Sequence, residues 1–279
     1  MTYSLGLIGY PIKHSLSPWI HEQFLSQLNL DGSYELFEID PSQDFKAALS
    51  KLKELNLTGF NVTVPYKETI IDYLDEIDEQ ALKIGAVNTV LNNNGRWIGY
   101  NTDGLGYVDA LEDKYPSIIQ QKASKILILG SGGASRGIYN GLKSSGYHRI
   151  DIANRTAKKA DEISKTNLVG QTKIISLTKA SEELAKYDII IQTTSVGMKP
   201  NEHEKIIDLK QLSKDSIVSD IVYQPIMTKF LYESKEIGAN IHHGHTMLLY
   251  QAKLAFEIWT GKQVELNNME QKLQGILEG

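Results

Sequence analysis

The sequence of 279 residues contains no cysteine. That absence excludes disulfides, thiol nucleophiles and cysteine-ligated metals. Positive charge is not in excess: 29 Lys and Arg stand against 34 Asp and Glu, for a formal net charge of -5. With a pI near 5.8, nothing electrostatic points to nucleic acid as a partner. No apolar run approaches the roughly 20 residues that span a bilayer. The start, MTYSLGLIGYPIKHSLS, has no charged leader followed by a continuous apolar stretch and a small-residue cleavage site. A cytoplasmic protein that engages no membrane is expected. Fixed-period repeats and low-complexity tracts are missing as well. His14, His21, His203, His242, His243 and His245 form no HExxH-like pair, so no metal is assigned. These histidines read as surface or capping residues.

What is present is the composition of a folded protein, 41% hydrophobic and 23% charged, long enough for one large domain or two ordinary ones. Short apolar strands alternate with helical patterns. YSLGLIGY predicts a strand and SPWIHEQFLSQLNL a helix with Ile20, Phe24, Leu25 and Leu28 inward. YELFEID, GFNVTVP and AVNTV continue the strands, FKAALSKLKELN is a helix, and ETIIDYLDEI reads as an amphipathic helix through Ile70, Ile71, Leu74 and Ile77. The Asn-Asn-Asn-Gly cluster at 92–95 signals a hairpin, so this sheet contains an antiparallel pair. From Leu105 onward the strands KILIL, HRIDIAN, KIISL, DIIIQTT, SIVSDIVY and NIHHG are brief, continuous and rich in Ile and Val, as buried parallel strands are. Alternation of this kind predicts an α/β protein of two domains: a mainly parallel, mixed-sheet domain and a doubly wound Rossmann-type domain. The joints fall near Asp103–Gly106 and His242–His245. The expected boundaries are 1–103, completed by 244–279, and 104–243.

In KILILGSGGASRGIYNGL a strand, a glycine-rich turn and a helix follow one another. Gly130, Gly132 and Gly133 permit a tight turn and close approach of backbone N–H groups to a pyrophosphate at a helix N-terminus. Ser135 stands where a third glycine is usual. The acidic residue that meets a free ribose 2′-hydroxyl ordinarily lies about 20 residues past the turn. Here that region reads Asn154, Arg155, Thr156, Ala157, Lys158, Lys159, while Asp151 lies earlier in its strand. Guanidinium and ammonium groups suit a 2′-phosphate, so NADP is favoured over NAD.

Several polar residues fit structure less well. In GFNVTVPYKE, Asn61 and Thr63 share one strand face, opposite Phe60, Val62 and Val64. Lys67 follows, placed in the first turn of the expected helix, where an ammonium faces the positive end of the backbone dipoles. Asn61, Thr63 and Lys67 together make a grip for a polyhydroxylated molecule; a polar face on a half-exposed strand is the plainer reading. In HSLSPWI, Ser17 reads as an N-cap with proline at the first helical position, worth about 1 kcal/mol; Ser15 has no such role. Asp103 caps the helix that Gly104 opens and stands at a domain joint, where clefts form. Gln251 lies in the apolar stripe Leu248, Ala252, Ala255 and Trp259, and its amide needs a partner, backbone or ligand.

The segments GYPIKHSLSP, GFNVTVPYKE, GAVNTV, GYNTDGLG, GSGGASRG, NRTAKK, TTSVGM, DIVYQP and GHTMLLYQA, in that order from Gly9 to Ala252, resemble the shikimate dehydrogenase family. The resemblance implies reversible NADPH-dependent reduction of 3-dehydroshikimate to shikimate, in aromatic amino acid biosynthesis. It also implies an N-terminal substrate domain completed by the C-terminal helix. Ser15, Ser17, Thr63, Asn88, Asp103, Tyr223 and Gln251 would bind shikimate, with Asn61 nearby. Lys67 would be the acid/base, paired with Asp103. Gly130, Ser131, Gly132, Gly133, Ala134, Asn154, Arg155, Thr156, Ala157, Lys158, Lys159, Ile221 and Gly244 would hold NADP. Departures from the family's pattern are Ser131 in place of alanine, Lys159 in place of arginine, and His245 in place of an apolar residue. The rival readings are an NAD-preferring quinate/shikimate dehydrogenase and a non-catalytic NADPH-binding sensor. The expected partner is a small molecule, and the chain a monomer or homodimer.

Overall fold

The computed structural model describes residues 2–119, 122–156 and 172–279. Contacts divide the chain into two units, Met1–Thr102 with Gln251–Leu266, and Asp103–Tyr250 with Asn267–Gly279. The segment 267–279 and the opening turns of the long helix Gly244–Thr260 thus belong with the second unit, whereas the sequence places all of 244–279 with the first. The reason is packing: Met247 lies against the second unit's core, and His245 Nε2 stands 3.9 Å from Glu270 Oε1.

The first unit is built on β1 (Tyr3–Gly9), β2 (Gly32–Glu38), β3 (Gly59–Val62), β4 (Glu76–Ile77), β5 (Thr89–Asn93) and β6 (Arg96–Tyr100), in the order β2-β1-β3-β5-β6-β4. β1 runs parallel to β2 and β3; β5 runs antiparallel to both β3 and β6. The hairpin turn is where expected, with Asn94 (φ 55°) and Gly95 (φ 88°) both in the left-handed region. Such a pair matches the twist of the flanking strands. Helices α1 (Ser17–Gln27), α2 (Phe45–Glu54) and α3 (Glu79–Ile84) connect the strands. Asp44 and Asp78 cap the last two through their side chains.

The segment after β3 is not the expected amphipathic helix. Thr69–Tyr73 makes one 3-10 turn and Glu76–Ile77 a short strand beside β6. Ile70 is fully buried and Leu74 is extended; burial in a sheet-covering loop overrides the 3.6-residue spacing.

The second unit carries β7 (Ile126–Leu129), β8 (Ile150–Ala153), β9 (Ile174–Ile175), β10 (Ile189–Gln192), β11 (Ile217–Asp220) and β12 (Asn240–His242). Its order is β12-β11-β10-β7-β8-β9, parallel throughout. This is the doubly wound dinucleotide-binding order, whose reversal point falls between β7 and β10. Its helices are α4 (Asp103–Lys114), α5 (Pro116–Ile119), α6 (Gly133–Ser144), α7 (Leu177–Glu182), α8 (Lys229–Ile237), α9 (Gly244–Thr260, shared with the first unit) and α10 (Met269–Glu278). Separate cores form on the two faces of the sheet, one around Ile126, Ile128, Ile138 and Leu142, the other around Leu127, Leu129, Ile190 and Val218. Strands covered on both sides bury every side chain, which is why they read as continuous Ile/Val/Leu runs. Among the described residues no helix is long and apolar enough to cross a membrane.

Candidate active site

Each unit carries its own set of the residues singled out in the sequence. In the first they collect at the carboxyl end of β1 and β3, where parallel strands leave loops free for ligands. The loop after β1 brings Ser15 and Ser17. The loop after β3 brings Thr63 and Lys67. Asn88 leads into β5, whose antiparallel course sets its first residue, Thr89, opposite Asn61. The loops are held to the sheet by backbone bonds: Thr63 N–H to Ile8 O (2.9 Å), Tyr10 N–H to Val64 O (2.9 Å), Val62 N–H to Asn88 O and Val87 N–H to Lys67 O (both 2.8 Å). Lys67 therefore sits in a turn before the 3-10 segment, anchored through its carbonyl, and not in a helical first turn.

Ser17 is not the N-cap. It is the first residue of α1, with Leu16 before it making no side-chain cap. The residue without an apparent role does the work: Ser15 Oγ accepts from Ser17 N–H (3.2 Å) and donates to Ser17 Oγ (3.2 Å). β3 ends at Val62, and Thr63 follows it, its N–H still bonded to β1 at Ile8 O. Asn61 itself is buried and its amide is committed. Oδ1 accepts from the Tyr34 hydroxyl (2.8 Å), and Nδ2 donates to Asn88 O (3.1 Å) and Thr89 Oγ1 (3.2 Å).

Asn88 is the junction. Its Oδ1 accepts from Thr102 N–H (2.8 Å) and from Thr89 Oγ1 (3.0 Å). Its Nδ2 donates to Thr102 Oγ1 (2.9 Å) and to Gln251 Oε1 (3.4 Å). Gln251 thus finds a partner in another amide. Tyr34, Thr89 and Thr102 were not singled out by sequence. Thr89 and Thr102 lie inside the quoted segments GAVNTV and GYNTDGLG, but a buried threonine in a strand, as Thr89 is, is ordinary, and Thr102, between β6 and α4, carries no local signal either.

His21 corrects another expectation. It is fully buried, stacked on Tyr34 with ring centroids 4.5 Å apart and planes 3° from parallel, with Trp259 at 5.1 Å. Neither ring nitrogen makes a hydrogen bond. Burial drives its pKa down to about 3, opposed in part by the Asn61 side chain. His242 and His245 are buried likewise, with pKa values lowered by burial to about 3 and about 4. His242 bonds Ser219 Oγ (2.9 Å) and Thr246 Oγ1 (3.0 Å) through its two nitrogens. His245 makes no hydrogen bond at either nitrogen, with the His243 ring 5.7 Å away and Glu270 Oε1 3.9 Å from its Nε2. Only His14 and His203 of the remaining candidates are exposed. Among the described residues no cluster of His, Asp and Glu could hold a metal ion.

In the second unit the glycine turn has the expected geometry. Gly130 has φ +119°, and a Cβ there would lie 2.7 Å from Thr193 Oγ1 and 2.8 Å from Thr194 Cγ2 across the reversal point of the sheet. Gly132 precedes α6, and Gly133, Ser131 and Ala134 surround its N-terminus. A Cβ at Gly132 or Gly133 would meet no atom within 4 Å, so this helix end is an open cradle of backbone donors. Ser135, in place of the third glycine, is fully buried and donates to Gly130 O (2.9 Å), closing the turn on itself. Asn154 at the end of β8 donates to Ser131 Oγ (2.7 Å) and Thr156 O (2.9 Å), with Arg155 and Thr156 exposed beside it. Asp151 is committed elsewhere, accepting from Tyr187 Oη (2.9 Å) and Lys173 N–H (3.2 Å). Ala157, Lys158 and Lys159 lie outside the described residues.

Ile221 and Tyr223 follow β11, and Gly244 opens α9. Their loop is braced by Asp220, whose carboxylate accepts from Val222 N–H (2.9 Å), Thr228 Oγ1 (2.7 Å) and Gln192 Nε2 (3.1 Å). Burial pushes the Asp220 pKa up to about 7 against these donors. Asp103, the first residue of α4, belongs to this unit, and Lys67 to the other.

Comparison with known proteins finds matches along most of the chain. Residues 7–90 match the family model for the shikimate dehydrogenase substrate binding domain, 113–223 that for shikimate/quinate 5-dehydrogenase, and 244–274 that for the shikimate 5′-dehydrogenase C-terminal domain. The NADP(+)-dependent shikimate dehydrogenase of Oceanobacillus iheyensis is 53% identical over 279 residues, covering 100% of both chains. A crystal structure of a shikimate dehydrogenase in complex with NADP+ superposes with a TM-score of 0.90 at 38% identity, covering 99% of this chain and 96% of that one. That of the Thermus thermophilus enzyme with NADP(H) and shikimate superposes with a TM-score of 0.85 at 31% identity, covering 98% and 99%.

Proposed function

This chain belongs to the shikimate dehydrogenase family, and from that membership we propose that it catalyses the reversible, NADPH-dependent reduction of 3-dehydroshikimate to shikimate in aromatic amino acid biosynthesis. The observation that carries the reading at the level of residues is two pairs of neutral hydrogen-bonding groups on the first unit, Ser15 with Ser17 and Asn88 with Gln251, suited to ring hydroxyls and a carboxylate. The cofactor supplies a hydride when bound. The residues present fit it: the open α6 N-terminus takes the pyrophosphate, and Asn154, Arg155 and Thr156 take the adenosine ribose with its 2′-phosphate. Arg155 offers a planar, bidentate donor to that phosphate, which is why NADP and not NAD is proposed. Ile221 and Gly244 complete the cofactor's surroundings.

What remains for the protein is a proton. As the substrate carbonyl becomes an alkoxide, Lys67 donates a proton to its oxygen, and takes one back in the reverse direction. Asp103 is the partner that the family resemblance gives this ammonium. Thr63 and Tyr223 add hydroxyl groups to the substrate's surroundings. The enzyme is proposed to be cytoplasmic and to act as a monomer or homodimer. The direct test is the growth of reduced-nicotinamide absorbance when shikimate and NADP are added to the purified protein. Turnover is expected with NADP and markedly weaker with NAD at the same shikimate concentration. Binding of NADPH with no turnover of shikimate would overturn the proposal.

A further inference from the structure

The polar residues of the first unit form a chain of hydrogen bonds with a definite direction. A backbone N–H can only donate. Thr102 N–H points at Asn88 Oδ1 at 2.8 Å, so the other end of that amide is its NH2. That NH2 donates to Gln251 Oε1, which fixes the Gln251 amide in turn. The Thr102 hydroxyl accepts from Asn88 Nδ2 at 2.9 Å, and the Thr89 hydroxyl donates to Asn88 Oδ1 at 3.0 Å while accepting from Asn61 Nδ2 at 3.2 Å. The two hydroxyls are 3.4 Å apart. Both threonines are buried, Thr89 completely and Thr102 at 3% exposure.

We propose that Thr89 and Thr102 are positioning residues: the Thr102 N–H sets which end of the Asn88 amide is which, and the two buried hydroxyls engage both ends of that amide and hold it in register with Gln251. Removing a hydroxyl here leaves a buried amide group short of a partner, which costs more than the bond itself is worth, and the amide shifts to recover one. The clamp therefore governs how well substrate oxygens are recognised. This rests on the assignment of Asn88 and Gln251 to the substrate under the proposed function.

Thr102→Val and Thr89→Val keep shape and remove only the hydroxyl. Each is expected to raise the KM for shikimate about tenfold, the worth of one well-placed hydrogen bond. kcat is expected to stay within about twofold and the KM for NADP unchanged, because neither threonine approaches the reacting atoms. Thr102→Ser and Thr89→Ser restore the hydroxyl and should return the shikimate KM toward the wild-type value. A merely structural role would lower the melting temperature and the active fraction, leaving the KM alone and showing no rescue specific to serine. If the valine variants do not fold, Tyr34→Phe tests the same chain at its far end, where the phenol donates to Asn61 Oδ1. An unchanged shikimate KM in folded valine variants, or in Tyr34→Phe, overturns the inference. Absence of shikimate turnover by the wild-type protein overturns the proposed function instead.

Discussion

Lys67 is the residue on which the proposed chemistry turns. It stands in a turn anchored by its own carbonyl to Val87 N–H, so its backbone position does not depend on its side chain. Lys67→Ala is accordingly expected to lower kcat by on the order of 10²–10⁴-fold, the range for loss of a positioned acid/base. Shikimate affinity, measured by calorimetry, should change only a few-fold. Turnover retained with affinity lost would remove Lys67 from the proton's path. The neighbouring polar residues divide in a way the sequence does not reveal. Asn61 carries an amide bonded to Tyr34, Asn88 and Thr89, while Ser15, which has no local excuse in the sequence, receives the first N–H of α1.

At the scale of elements, α4 and α6 cross through glycines. A Cβ on Gly141 would lie 2.4 Å from both the carbonyl carbon and oxygen of Gly104. In an open helix, glycine to alanine stabilises by about 1 kcal/mol. Here the added methyl meets backbone, which cannot turn aside as a side chain can. Gly141→Ala is therefore expected to destabilise, by about 1–3 kcal/mol, seen as a lower midpoint of urea unfolding. A raised midpoint would mean that the two helices separate at little cost. The hairpin at 92–95 and the glycine turn at 130–133 were legible because each needs particular residues at particular dihedrals, and such needs are written locally. The segment after Lys67 was not, because Ile70, Ile71, Leu74 and Ile77 satisfy helical spacing while their burial is decided by β6 and α3.

For the whole molecule, the buried histidines set the response to acid. An unfolded histidine titrates near 6.5. Folded His21 and His242 do so near 3, and His245 near 4. Between those values the unfolded chain binds more protons than the folded one, so stability falls as pH drops from about 6.5 toward 4, by about 1.4 kcal/mol per pH unit for each histidine. Asp220 runs the other way: its folded pKa of about 7 lies above the ordinary aspartate value of about 3.9, so its contribution to stability declines as pH rises from about 4 to 7. The histidines outnumber it. Urea unfolding from pH 4 to 7 should show stability rising with pH, and His21→Phe, which keeps a ring in the aromatic cage, should reduce that slope by about one proton. A slope unaltered by His21→Phe would mean that this imidazole is charged within the fold or titrates normally.

By itself the sequence determined the α/β class, the doubly wound strand pattern, the phosphate-binding turn and the segments that mark the family, because each depends on residue type, period or spacing along a few neighbouring positions. Tertiary structure alone decided which polar side chains are committed to one another. Tyr34, Asn61, Thr89, Asn88, Thr102 and Gln251 come from segments far apart in the chain, and hydrogen bonding is settled by distance and direction in space. The same holds for His21, His242 and His245, whose charge state follows from the packing around them and not from their sequence neighbours.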